Sequence, residues 1–209
     1  MQAWMRAAGL ALFLPVPIVL FLFTRAPVGL VPSLVLGVVL MATHRLYARP
    51  FALGHAAQRC LWCGAAAGAG PWLDVGEPFA QTRWRGCCQQ HAERCAGVLT
   101  WADRHAVFLK IGILGTLGVF LPVALLAGLG HLAPLRFADD VAFFRIGIAL
   151  TVLPLAQLSP LASAASQGGL RTPFPLHIQA LIGTRAVLWL FRLIGFVWLV
   201  LALAHLAGR

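Results

Sequence analysis

Charge is what this chain of 209 residues has least of: only 11% of it is Asp, Glu, Lys or Arg, where a soluble domain carries about a quarter. Six residues are acidic, and none lies inside a long apolar run. That argues against an intramembrane proton or cation pathway of the usual kind. No P-loop, HExxH, GxSxG or GxGxxG pattern occurs, so the common nucleotide-binding and hydrolase chemistries have no visible foothold. General acid–base chemistry would have to draw on Asp74, Glu77, Glu93, Asp103 and the histidines, and these form no triad-like pattern.

What the chain has instead is apolar length. Hydrophobic residues make up 60% of it. The net charge of +10 comes from 16 basic residues, which flank apolar runs rather than forming a basic patch. That pattern belongs to membranes and excludes nucleic acid as a partner. A spanning helix needs roughly 20 apolar residues. Five runs approach this, at 7–23, 28–43, 111–129, 141–158 and 186–206. The first resembles a signal peptide in position. It contains Pro15 and Pro17, however, and a second apolar run follows almost at once, so a retained hairpin of two helices is expected. Eleven basic residues fall on the side of the polar stretch 44–110 and three on the other. By the positive-inside rule that stretch is cytoplasmic, with the N-terminus inside and the C-terminus outside, in a bacterial inner (plasma) membrane.

The polar stretch carries all five cysteines, as Cys60-x2-Cys63 and then Cys87-Cys88-x2-His91-x3-Cys95. A CxxC pair followed by a second Cys/His group is the spacing of a tetrahedral zinc site, and in a reducing cytoplasm such cysteines are metal ligands more often than disulfides. Gly64 supplies the positive φ that a CxxC turn wants. Residues 88, 91 and 95 share one face of a helix, and so do 87, 91 and 95. The expected ligands of a structural zinc are Cys60, Cys63, Cys88 and His91, with Cys87 and Cys95 as substitutes. A knuckle followed by the first turn of a helix resembles the zinc-ribbon or treble-clef arrangement over residues 59–96. Trp72, Phe79, Trp84 and Trp101 would give the module its apolar mass, and a metal its staple. The expected fold is thus an all-α integral membrane protein of about five transmembrane helices. A small zinc-ribbon- or treble-clef-like cytoplasmic insertion separates helices 2 and 3. The divisions fall at 1–43, 44–106 and 107–209.

Three arginines stand out near or within the spans: Arg145, Arg185 and Arg192. Arg185 and Arg192 lie about 10 Å apart on one helix face. A charge at depth is costly and turns inward, so these three are candidates for holding an anionic lipid or a partner subunit. Histidines gather at span ends (His44, His105 and His177 on one side, His131 and His205 on the other), shallower than haem-ligating pairs sit, so haem is not expected. Gly112, Gly115 and Gly118 suit close helix packing.

The leading functional expectation is a non-enzymatic membrane protein that presents a zinc-stapled cytoplasmic module as a subunit or assembly factor of a larger membrane complex. A second reading is a membrane thiol–disulfide or metal-handling protein. Quinone-linked thiol oxidases resemble this chain in having few spans and two cysteine groups. The resemblance implies Cys60 and Cys63 as the exchanging pair, with Cys87, Cys88 or Cys95 as relay. Those proteins place their cysteines outside the cytoplasm, however. A third reading is a membrane enzyme or transporter subunit acting on an anionic lipid through the three arginines.

Overall fold

The computed structural model describes residues 39, 42–43 and 46–47 and, from residue 49 on, all but 56–57, 78–79, 133, 163–169, 172–176 and 209. The expected hairpin of residues 1–43 lies outside them, those first three aside, as do Phe79 and His44. The elements run α1 (Arg49–Gly54), β1 (Trp72–Glu77), β2 (Ala80–Arg85), α2 (Gln89–Arg104), α3 (Ala106–Lys110), a π turn (Ile111–Gly115), α4 (Thr116–Gly128), α5 (Pro134–Leu158), a 3-10 turn (Ser159–Leu161), β3 (Leu170–Arg171), α6 (His177–Ile182) and α7 (Thr184–Ala207).

Helices α5 and α7 have 25 and 24 residues. At 1.5 Å per residue each is about 36 Å long, enough for a hydrocarbon core of about 30 Å. Both are long and apolar enough to cross a membrane, and only 33% and 22% of their apolar windows are buried. A core helix of a soluble protein would be mostly covered. Here Trp189, Leu193, Phe196, Val200 and Leu203 form one exposed stripe along α7, at the alternating four- and three-residue spacing of a single helix face. α5 begins seven residues before the apolar run that predicts it. Pro134 takes its first position, where a missing N–H is harmless and the fixed φ suits a helix. Hydropathy marks only the part of a helix suited to lipid, not where its hydrogen bonding starts.

The long helices pack antiparallel. Along α5 and α7, Arg192 meets Ala156 and His205 meets Asp139, while a Cβ on Gly195 would lie 2.8 Å from Leu153. The π turn, α4 and α5 join through a reciprocal pair. Gly112 faces the side chain of Thr151, and Gly147 faces that of Thr116 at 2.7 Å. Each threonine also donates its hydroxyl to the glycine carbonyl one turn back along its own helix. Of the three glycines expected to pack, only Gly112 does; Gly115 and Gly118 face open space. The expectation missed that a packing glycine needs a larger residue opposite it, which spacing alone cannot locate.

The insertion departs from the all-α expectation. β1 and β2 form an antiparallel hairpin with Leu73 opposite Trp84, and β3 adds in parallel beside Val75. Leu73, Val75 and Trp84 are buried while Asp74 and Arg83 are exposed, the alternation of a half-buried sheet. The strand signal is weak in the sequence because Asp74, Gly76 and Glu77 are poor strand formers. β3 is two residues long and lies between the 3-10 turn and α6. Trp72 is exposed, with the Arg85 guanidinium 3.8 Å over its ring; Trp101 is half-buried and stacks on His105. One continuous apolar core runs from Leu61, Trp62 and Trp84 through Leu99 and Leu109 to Leu155, Ala156 and Leu188. The insertion is therefore seated on the ends of the long helices rather than hung from them.

Candidate metal centre

The chain enters the site as a short bridge to β2, with Leu61 N–H donating to the Arg85 carbonyl at 2.8 Å. It turns back at once. Gly64 N–H donates to the Cys60 carbonyl and Cys60 N–H to the Ala65 carbonyl, both at 2.8 Å. Gly64 has φ +73°, the left-handed conformation expected of it. This turn puts the Cys60 and Cys63 sulfurs on one side, while the Leu61 side chain, fully buried, anchors it in the core.

β2 ends at Arg85, and Cys87 follows two residues later, just ahead of α2. His91 lies in the first turn of α2, which starts at Gln89, and its Nδ1 comes to 3.0 Å from the Cys87 sulfur. The donor atoms of Cys60, Cys63, Cys87 and His91 all lie within 4.8 Å of one another. The Cys63 and Cys87 sulfurs are 3.9 Å apart, and His91 Nδ1 lies 3.8 Å from Cys60 Sγ and 3.0 Å from Cys87 Sγ. With Zn–S near 2.3 Å and Zn–N near 2.1 Å, a tetrahedral site separates its donors by about 3.5–3.8 Å. Three thiols and an imidazole at these spacings fit zinc, with Nδ1 as the ligating nitrogen.

The fourth residue brought into the cluster is Cys87, where spacing favoured Cys88. Both share a helical face with His91 on paper. Cys88 is not helical, however: it is the residue before α2, with φ −150° and ψ 167°. In extended backbone successive side chains point to opposite sides, so when Cys87 turns inward, Cys88 turns out, and it is exposed. Cys95 is fully buried and stands apart, its sulfur 3.7 Å from Thr184 Oγ1.

The thiols of the cluster shift in opposite directions. Burial raises the Cys60 thiol, but N–H groups of Cys63, Cys87 and Trp62 directed at its sulfur outweigh that and leave its pKa below the ordinary thiol value. Cys87 moves the other way, up to about 12, first through burial and then through the hydrogen bonds and charges of Cys60 and Cys63. Three sulfurs this close cannot all carry charge by themselves; a divalent ion among them removes that conflict.

The three arginines do not converge. Arg185 is exposed at the start of α7, while Arg145 and Arg192 are half-buried. Arg192 lies beside Ala156, so Arg145 is about 16 Å from it along α5, and Arg185 about 10 Å away in the opposite direction. Arg192 Nε donates to the Ala156 carbonyl at 2.9 Å, with its guanidinium 5.0 Å from the Trp189 ring. What spacing could not reveal is the contact between the Cys60–Cys63 turn and α7. Thr184 N–H donates to the Leu61 carbonyl at 2.8 Å and Arg185 N–H to the Trp62 carbonyl at 3.0 Å. Gly183, breaking the chain between α6 and α7, is the sequence signal for it.

No family model, no curated protein and no solved structure matches this chain.

Proposed function

We propose that this is a non-enzymatic integral membrane protein whose cytoplasmic insertion holds one structural zinc at Cys60, Cys63, Cys87 and His91, and that it serves as a subunit or assembly factor of a larger membrane complex. The observation carrying this reading is the four-donor cluster, drawn from a CxxC turn and the start of a helix and seated on two helices long and apolar enough to span a bilayer. The order of turn, hairpin and helix resembles a treble clef. The insertion faces the cytoplasm in this reading, since Arg104, Lys110 and Arg185 lie at its end of the long helices. Partner subunits are the expected companions, and an anionic lipid is a further one.

Elemental analysis of the purified full-length protein tests the zinc. About one equivalent per chain, lost with Cys87→Ser, supports the reading; a metal-free protein with a Cys63–Cys87 disulfide overturns it. An impermeant thiol reagent applied to intact cells tests the orientation, and should leave the exposed Cys88 unmarked.

The 3.9 Å between the Cys63 and Cys87 sulfurs favours thiol–disulfide exchange as the second reading. It asks for an accessible attacking sulfur, which Cys60, fully buried, does not offer. The same elemental and disulfide measurements separate the two readings.

A further inference from the structure

The first N–H groups of a helix have no partner within it and are met by a side chain, water or another part of the chain. At the start of α7 the residue in capping position is Gly183, which has no side chain to accept them. The metal-binding turn takes that role. The carbonyls of Leu61 and Trp62, the two residues between Cys60 and Cys63, accept the N–H groups of Thr184 and Arg185 at 2.8 and 3.0 Å. The Thr184 hydroxyl, buried, donates to the same Leu61 carbonyl at 2.9 Å.

Two glycines permit the approach. Gly183 has φ +90°, and a Cβ there would lie 2.7 Å from the Trp62 carbonyl oxygen and the Cys63 carbonyl carbon. Gly64, at φ +73°, faces the Ile182 carbonyl at 3.1 Å in the same way. Backbone thus meets backbone, and neither side can shift without the other. The only covalent route between them runs through about 120 residues and the whole of α5, so the relation is spatial, not local.

We infer that metal bound by Cys60, Cys63, Cys87 and His91 locks the start of helix α7 in place through the Leu61 and Trp62 carbonyls, making the seating of the last apolar helix metal-dependent. This rests on the zinc reading above. The ion fixes the curvature of the Cys60–Cys63 turn; that curvature aims the two carbonyls; the carbonyls hold α7. Coupling of this kind is reciprocal, so whatever disrupts the cap must weaken metal binding by the same factor that metal strengthens the cap.

The test uses the full-length protein in detergent micelles or lipid nanodiscs. Zinc affinity is measured by competition with a chromophoric chelator for wild type, Gly183→Ala and Thr184→Val, and amide hydrogen exchange of wild type is followed before and after zinc is stripped. Gly183→Ala touches no ligand atom, yet is expected to weaken zinc by about tenfold, within the usual range of site-to-site coupling. Thr184→Val, which keeps the backbone cap and loses only the hydroxyl, should weaken it less. Stripping zinc should speed exchange at Thr184 and Arg185 while leaving the middle of α7 protected. Unchanged affinity in both variants, or unchanged protection at Thr184 and Arg185 after stripping, overturns the inference while the zinc site stands. Should Gly183→Ala fail to fold, Thr184→Val and the exchange measurement decide. Wild type that binds no zinc overturns the zinc reading itself, and the lock with it.

Discussion

Arg192 Nε donates to the Ala156 carbonyl oxygen at 2.9 Å, the oxygen that the N–H of residue 160 would serve if that residue were not proline. Pro160 leaves the carbonyl open, at the negative end of the α5 dipole, and an arginine from the neighbouring helix closes it. The preceding carbonyl, of Leu155, is taken by the Ser159 hydroxyl. A charge on an apolar helix thus has a partner inside the chain.

Arg192→Leu should accordingly cost about 1–3 kcal/mol, the penalty for a buried carbonyl left without a donor, and lower the thermal midpoint of the purified protein. Arg192→Lys should fall between the two. Zinc content should not change in either variant. A midpoint for Arg192→Leu equal to or above that of wild type, with loss of a co-purifying lipid or subunit, would reassign the arginine to docking.

The four-donor cluster makes an unequal prediction for adjacent cysteines. Cys87→Ser and His91→Ala should each abolish stoichiometric zinc, while Cys88→Ser and Cys95→Ala should retain it, as read by elemental analysis after extensive dialysis. Retention by Cys87→Ser together with loss in Cys88→Ser would mean that the turn before α2 is rotated by one residue.

Much of this site was legible. Spacing singled out Cys60, Cys63 and His91, whose donor atoms the fold brings together, and the turn chemistry of Gly64 followed from its place after CxxC. The choice between Cys87 and Cys88 was not legible, because it depends on where helix α2 begins. One residue on either side of that boundary sends a side chain to opposite faces. The long helices were visible as apolar runs, since hydropathy integrates over many residues. The sheet was not, since β3 is two residues long and pairs with a strand far away in sequence. Arg192 looked anomalous because its partner is a backbone oxygen exposed by a proline on another helix, a relation no single stretch of sequence contains.

Packing of the π turn and α4 against α5 should depend on size at two facing positions. Gly112→Ala would place a methyl group against the Thr151 side chain and should destabilise the protein by about 1–3 kcal/mol. Adding Thr151→Ala should recover part of that loss, so that the double variant is more stable than the sum of the single ones implies. Gly118→Ala meets nothing within 4 Å and should be neutral or stabilising by up to about 1 kcal/mol, from helix propensity. Thermal unfolding of wild type and the four variants decides; additive losses would mean that the pair is not in contact.

Cys95 should give stability a dependence on alkaline pH. Burial, above all, pushes its thiol up to about 12 from 9.0, with Cys60 adding to the rise and the Thr184 hydroxyl opposing it. The neutral thiol is the form the fold favours. Its contribution is therefore complete below pH 9 and is lost as pH climbs toward 12. Denaturant midpoints of the zinc-loaded protein should fall over that window with a slope that Cys95→Ala reduces by about one proton. Equal slopes in the two proteins would show that the thiol ionises freely in the folded state. In the same protein, a thiol reagent at neutral pH should modify Cys88 and leave Cys95 intact.

Strand β3 comes from beyond helix α5, yet it completes the sheet that Trp72–Glu77 begins, and the carbonyls of Leu61 and Trp62 wait for N–H groups from residues 184 and 185. A ribosome delivers these pieces in a fixed order. Cys60, Cys63, Cys87 and His91 emerge early, and on the zinc reading they can capture an ion while the rest of the chain is still being made. The sheet and the cap close only after α5 has been made and residue 185 has been released. Completion of the module thus reports that α7 has arrived, and on the zinc reading a chain cut short before it would hold the ion on an unfinished fold.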